Sequence, residues 1–140
     1  MKVGLLTSGG DCQGLNAVLR GVAKTLIGSI RDLELYGIVD GYRGLIEGEW
    51  RRMGPEEFSG ILRQGGTILG TSRQPFKEMQ TLNENNTNKL DMMMKNYQKF
   101  GFDALVILGG NGTHKTAYLL SQNGANIVTI PKTIDNDVYG

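Results

Sequence analysis

The 140 residues suit one domain that can bury a core, and 39% hydrophobic with 21% charged residues excludes wholesale disorder. The 15 Lys+Arg against 14 Asp+Glu give a net charge of +1, which speaks against a nucleic-acid surface, because phosphate-backbone binding needs a concentrated basic face. No apolar run approaches the ~18–20 residues of a membrane span, residues 1–7 are too short for a signal-peptide core, and the lone Cys12 has no internal disulfide partner, so a cytoplasmic, reducing location is expected.

Lys2–Thr7 is short, apolar and partly β-branched, and predicts a buried strand; the loop Ser8–Gly14 follows. Leu15, Val18, Leu19, Val22 and Leu26 recur on one face of a helix over Leu15–Ile27, with Gly28 as its terminator. A strand is expected over about Leu33–Val39, then a loop from Asp40 to Arg52 that holds Tyr42, Arg43, Gly44 and Trp50. Gly54-Pro55-Glu56-Glu57 opens a short helix ending near Leu62–Arg63, Gly65–Gly70 is a short strand, and Thr71–Phe76 a loop. Residues 83–88 are turn and cap material before a helix marked by Leu90, Met93, Met94, Tyr97 and Phe100 and stopped by Gly101; its methionines are core packing. Asp103–Leu108 is a strand, Gly109–Gly112 a tight loop, Thr113–Asn123 a helix stopped by Gly124, and Ile127–Ile130 a last strand ended by Pro131.

Continuous apolar strands alternating with helices predict an α/β fold with a parallel sheet covered on both faces. All strand C-termini of such a sheet share one edge, where ligands bind. The loops Ser8–Gly14, Gly109–Thr113 and Pro131–Tyr139 leave three strands there, and Thr71–Phe76 adds an arginine. The Gly count of 21 is about twice the usual share, and glycine at strand ends lets backbone amides approach an anion. Neither standard phosphate motif fits: Leu15-Asn16 stands where a Walker A loop needs Lys and Ser or Thr, and Lys115 where the Rossmann fingerprint needs its third glycine. In Pro131–Asp137, two carboxylates lie two residues apart beside Thr133 and Lys132, a set able to meet a cation, a phosphate and a hydroxyl, with an Asp as general base.

Together these loops resemble the phosphofructokinase family. Gly9–Asn16 is similar to its first glycine loop, Gly109-Gly110-Asn111-Gly112-Thr113 to its GGDG[ST] loop, Gly70-Thr71-Ser72-Arg73 to its G-[ST]-x-R loop, and Pro131-Lys132-Thr133-Ile134-Asp135-Asn136-Asp137 to its P-[GK]-T-I-D-N-D signature. The fold that the resemblance implies is a three-layer, Rossmann-like phosphofructokinase N-terminal lobe with a parallel sheet. The implied activity is phosphoryl transfer from ATP to the 1-hydroxyl of fructose 6-phosphate, giving fructose 1,6-bisphosphate in glycolysis, with Mg²⁺ as cofactor. On that resemblance Asp135 is the base, and Arg73 and Thr133 complete the catalytic set. Gly10, Arg73, Gln74, Gly110, Asn111, Gly112 and Thr113 bind the donor, and Lys132, Thr133, Ile134, Asp135 and Asp137 the substrate.

Two departures bear on the donor and the metal. Asn111 replaces the usual Asp, and its neutral amide oxygen is a weaker ligand for a hard cation. Lys132 resembles the pyrophosphate-using branch, whereas Gly112 leaves room for a nucleotide α-phosphate. The balance favours ATP, with pyrophosphate as the alternative. A non-catalytic nucleotide- or phosphate-binding module is a further alternative, and the NAD and lipid kinases share the GGDG[ST] loop but lack the Pro131–Asp137 signature. Arg20–Lys24 overlaps an effector segment of some members and reads here as a solvated helix face; His114 reads as a capping or surface residue. Members of the family run to more than twice this length, so residues 1–140 are expected to be the donor-binding lobe without the sugar-phosphate lobe, inactive alone, and part of a homo-tetramer or homo-dimer when complete. No nucleic-acid or membrane partner is expected.

Overall fold

A computed structural model describes residues 1–8, 15–54, 56, 76–82, 84–109 and 111–131. The elements run β1 (Lys2–Thr7), α1 (Leu15–Ser29), β2 (Glu34–Ile38), α2 (Tyr42–Glu47), β3 (Trp50–Arg52), a 3-10 turn (Phe76–Glu78), α3 (Lys89–Phe100), β4 (Ala104–Gly109), α4 (Asn111–Gln122) and β5 (Ile127–Pro131). The helix expected from Gly54 to Arg63, the strand over 65–70, and most of the glycine and signature loops lie outside the described residues.

The five strands form one sheet in the order β3-β2-β1-β4-β5. β1 pairs in parallel with β2 and β4, and β4 with β5. The apolar runs of the central strands β1 and β4 are buried on both faces, as a doubly covered sheet requires, whereas the edge strand β5 is not, with Val128 50% exposed. Val3, Leu5, Leu35, Val106 and Leu108 face one layer with Leu19 and Ala23 of α1. Leu6, Ile38, Leu105 and Ile107 face the other, with residues of α2, α3 and α4. The alternation follows from the two-residue period of a strand.

The segment 40–52 is not a loop, and the sheet is not wholly parallel. Asp40 and Gly41 turn the chain at φ 54° and 65°, and α2 then runs six residues to an αL cap at Gly48. β3 returns antiparallel on β2, with Ile38 opposite Trp50 and Tyr36 opposite Arg52. A connection this short permits only the antiparallel direction. Three carboxylates fasten the unit through Arg43, whose guanidinium donates to Asp40 at 2.7 Å, Glu49 at 3.1 Å and Glu47 at 3.3 Å. Those bonds, with Glu49 first, raise the Arg43 pKa above its ordinary value. From α3, Asn96 donates to the Leu45 and Ile46 carbonyls at 2.8 and 3.0 Å, which satisfies two acceptors near the C-terminal end of α2. Trp50 is held by rings: its centroid lies 4.9 Å from Phe100 and 5.1 Å from Phe102.

α3 follows the periodicity closely. Leu90, Met93, Met94 and Tyr97 are its buried stripe, Asn88 caps its start by accepting from the Asp91 amide at 2.8 Å, and Gly101 ends it in the αL conformation. α1 differs at its end: it continues through Gly28 to Ser29, and the chain turns only at Asp32, with φ 58°. Arg20 and Lys24 on α1 are exposed, in keeping with a solvated face. Among the described residues no helix is long and apolar enough to cross a membrane.

Candidate functional site

Three neighbouring parallel strands end level on one rim. Thr7 lies opposite Leu108, and Gly109 opposite Pro131. Ser8, the next residue after β1, donates its amide to the Leu108 carbonyl at 2.9 Å, so the β1–β4 ladder runs to the edge. With neighbouring strands ~4.8 Å apart, three chain exits fall within about 10 Å. They are the points from which the first glycine loop, the second glycine loop and the Pro131–Asp137 signature depart.

The strand order places a topological switch between β1 and β4. From β1 the chain passes to β2 on one side, while β4 leads to β5 on the other. In open α/β sheets the ligand crevice lies outside such a switch. α1 packs on one face and α4 on the opposite face. Each follows a parallel strand and runs back antiparallel to it, so both helix N-termini point at this rim. The first four N–H groups of a helix have no carbonyl partner within it, and the positive dipole end adds to their pull on an anion.

α4 begins two residues earlier than the sequence suggests. Asn111 and Gly112, expected in a tight loop, form its first turn. Glycine lowers helix propensity and reads as loop, but in a first turn its amide is free in any case. Thr113 follows, 5% exposed. It packs against Gly109, where an added Cβ would stand 2.6 Å from Thr113 Cγ2 and 2.7 Å from the Ser8 carbonyl oxygen. Ser8, Gly109 and Thr113 therefore form one tight knot at the switch point.

A fourth residue reaches this knot from a distance in sequence. Tyr42, the first residue of α2, donates its hydroxyl to the Thr113 carbonyl oxygen at 2.7 Å, across 71 residues. Burial raises its pKa well above the ordinary phenol range. The spacing of Tyr42, Leu45 and Ile46 carries an apolar helical face, a signal that six residues make too short to stand out. His114 is half-buried rather than exposed, and its enclosed Nε2 has no hydrogen-bond partner among the described residues.

Of the site residues expected from sequence, the structure describes Asn111, Gly112 and Thr113, and gathers them in the first turn of α4. Gly10, Arg73, Gln74, Gly110, Lys132, Thr133, Ile134, Asp135 and Asp137 lie outside the described residues. No group of three or more His, Cys, Asp or Glu able to hold a metal occurs among the described residues. A recess of about 520 Å³ lined by Ile27, Ile30, Leu33, Leu35, Arg52 and Met53 lies at the other end of the sheet, near the start of β2.

Compared with known sequences, residues 2–140 match the family described as Phosphofructokinase. The chain belongs to the phosphofructokinase family. It is 54% identical over 140 residues to a protein named ATP-dependent 6-phosphofructokinase from Spirochaeta thermophila, covering 98% of the chain and 38% of that relative. It is 46% identical over 141 residues to ATP-dependent 6-phosphofructokinase 3 of Bacteroides thetaiotaomicron, covering 100% of the chain and 41% of the relative. The chain thus spans about two fifths of these phosphofructokinases. Among solved structures, Pichia pastoris phosphofructokinase in the T-state superposes with a TM-score of 0.77 at 30% identity, over 97% of the chain and 15% of that protein. A pyrophosphate-dependent phosphofructokinase from Marinobacter aquaeolei shares the fold, with a TM-score of 0.74 at 18% identity, over 93% of the chain and 32% of its own.

Proposed function

We propose that residues 1–140 are the phosphoryl-donor lobe of an ATP-dependent 6-phosphofructokinase, which phosphorylates the 1-hydroxyl of fructose 6-phosphate. The observation that carries this reading is the level rim: three strand exits side by side, flanked by two helix N-termini from opposite faces. Phosphoryl transfer depends on positioning the donor and neutralising its oxygens, and free amides at such a rim supply both. In this reading Gly10, Gly110, Asn111, Gly112 and Thr113 cradle the donor with Arg73 and Gln74. Arg73 offsets charge on the transferring group. Asp135 accepts the sugar hydroxyl proton, and Lys132, Thr133, Ile134 and Asp137 line the sugar-phosphate side. Mg²⁺ supplies charge neutralisation to the donor's phosphates. Asn111 offers it only a neutral amide oxygen, so the ion is taken to be held through water, by Asp11 or by the donor's own phosphates. The rest of the sugar site, and the homo-oligomer, belong to the part of the relatives that this chain does not span.

ATP is favoured as donor because the relatives at 46–54% identity carry ATP-dependent names, and Gly112 in the first turn of α4 leaves space for an α-phosphate. Lys132 is the one residue that favours pyrophosphate. Calorimetric titration of the chain separates these readings. Mg·ATP is expected to bind one per chain, and Asp135→Asn to change that affinity by no more than about twofold, because a general base acts on the transition state rather than on donor binding. In an enzyme with a complete sugar site the same substitution is expected to lower kcat by roughly 10²–10⁴-fold. Binding of pyrophosphate alone would overturn the choice of donor. Failure of ATP, ADP and pyrophosphate alike would overturn the reading itself.

A further inference from the structure

We propose that Tyr42 is a positioning residue for the phosphoryl donor: its hydrogen bond to the Thr113 carbonyl fixes the first turn of α4 at the height where its free amides meet the donor's phosphates. This rests on the reading of the rim as a donor site. Tyr42 is 1% exposed, so its hydroxyl has been taken out of water, and its bond to Thr113 at 2.7 Å satisfies it. The bond is not required for helix α4 as such. A first-turn carbonyl already accepts from the amide four residues on, and the tyrosine occupies its second lone pair. What the bond adds is a tie between two elements that are otherwise anchored differently. α2 is fixed to the sheet edge and to α3 through Arg43 and Asn96, by bonds in which α4 takes no part. α4 presses Thr113 onto Gly109 beside the Ser8 carbonyl oxygen. Tyr42 transmits the fixed position of the first to the donor-facing end of the second.

Tyr42→Phe keeps the buried ring and leaves no donor unsatisfied, so the fold is retained while the tie is cut. The test pairs hydrogen exchange with calorimetry on the 140-residue chain and its variant, well below the unfolding temperature. Exchange at the Thr116–Tyr118 amides, which donate into the first turn, is expected to quicken about tenfold, the equivalent of one hydrogen bond, with α1 and α3 unchanged. The dissociation constant for Mg·ATP is expected to rise by about the same factor, since donor binding must then re-order the turn. Tyr36→Phe, which removes a hydroxyl bonded to Glu34 away from the rim, is expected to change neither reading. Uniform loss of protection, or unchanged protection at the first turn, would show Tyr42 to be packing alone. Local loosening with unaltered ATP affinity in a wild-type chain that binds ATP would overturn the donor role and leave the donor site standing. A wild-type chain that binds no donor would overturn both.

Discussion

Gly109→Ala is expected to destabilise the chain by about 3 kcal/mol and to weaken Mg·ATP binding by more than about tenfold. The added methyl has no room on any side. It would stand 2.6 Å from Thr113 Cγ2, 2.7 Å from Thr113 Cβ and 2.7 Å from the Ser8 carbonyl oxygen. Thr113 is buried and sits in a helical turn held by Tyr42, so it cannot swing away freely. The Ser8 carbonyl belongs to the residue whose amide closes the β1–β4 ladder on the Leu108 oxygen. Relief therefore requires β1 and β4 to part at the rim, or α4 to lift off it. Either movement displaces the turn that the donor reading depends on. Urea unfolding and ATP calorimetry on the variant read the two effects separately. A midpoint and an affinity both equal to those of the unsubstituted chain would show that the knot at Ser8, Gly109 and Thr113 is looser than the structure has it.

The second large effect is expected at Gly44, where alanine should cost more than about 3 kcal/mol, a large part of the roughly 5–15 kcal/mol that holds a domain of this size together. Gly44 lies inside α2 with backbone on both sides of it. A Cβ there would overlap the Val39 carbonyl oxygen and stand 2.7 Å from the Glu49 carbonyl oxygen and 2.8 Å from the Val39 nitrogen. Val39 and Glu49 are themselves joined, Val39 N–H donating to the Glu49 oxygen at 3.1 Å, and Glu49 N–H donates back to the Gly44 oxygen at 2.8 Å. No side-chain rotation relieves such contacts, so the β2–α2–β3 unit must open, and Tyr42 moves with it. Gly21→Ala supplies the contrast. Gly21 lies within α1 with nothing within 4 Å of an added Cβ, and alanine there is expected to stabilise by up to about 1 kcal/mol. Equal thermal shifts for the two substitutions would contradict this packing around Gly44.

The contrast between these two glycines also marks where the sequence is legible. β1, β4 and α3 announce themselves, because a fully buried strand must be apolar throughout and a helix facing a core must repeat its apolar residues at 3.6. The segment 40–52 does not. α2 is too short for a period to emerge, and β3 reads Trp-Arg-Arg, with Arg51 and Arg52 exposed as an edge strand requires. The place of β3 is set by the Phe100 and Phe102 rings and the ladder to β2, and that of α2 by the Asn96 amide, all partners elsewhere in the chain. Gly28 signals a stop for α1 because glycine often ends helices, yet the helix runs on to Ser29 and the chain turns at Asp32. At the rim, the spacing of apolar strands foretold that three loops would leave side by side. The chemistry of those loops came from resemblance to a family, which periodicity cannot supply. Tyr42 reads from sequence as a loop residue, and its tie to Thr113 is not legible there, since a bond across 71 residues leaves no local pattern.

Whether a phosphoryl donor binds at the C-terminal rim between β1 and β4 is read out by amide chemical-shift mapping during titration with Mg·ATP. The largest shifts are expected on Ser8, Gly109, Asn111, Gly112 and Thr113, with little change at Leu33, Arg52 and Met53 around the recess at the other end of the sheet. Shifts centred on that recess, with the Ser8 and Asn111–Thr113 amides unmoved, would contradict donor binding at the rim.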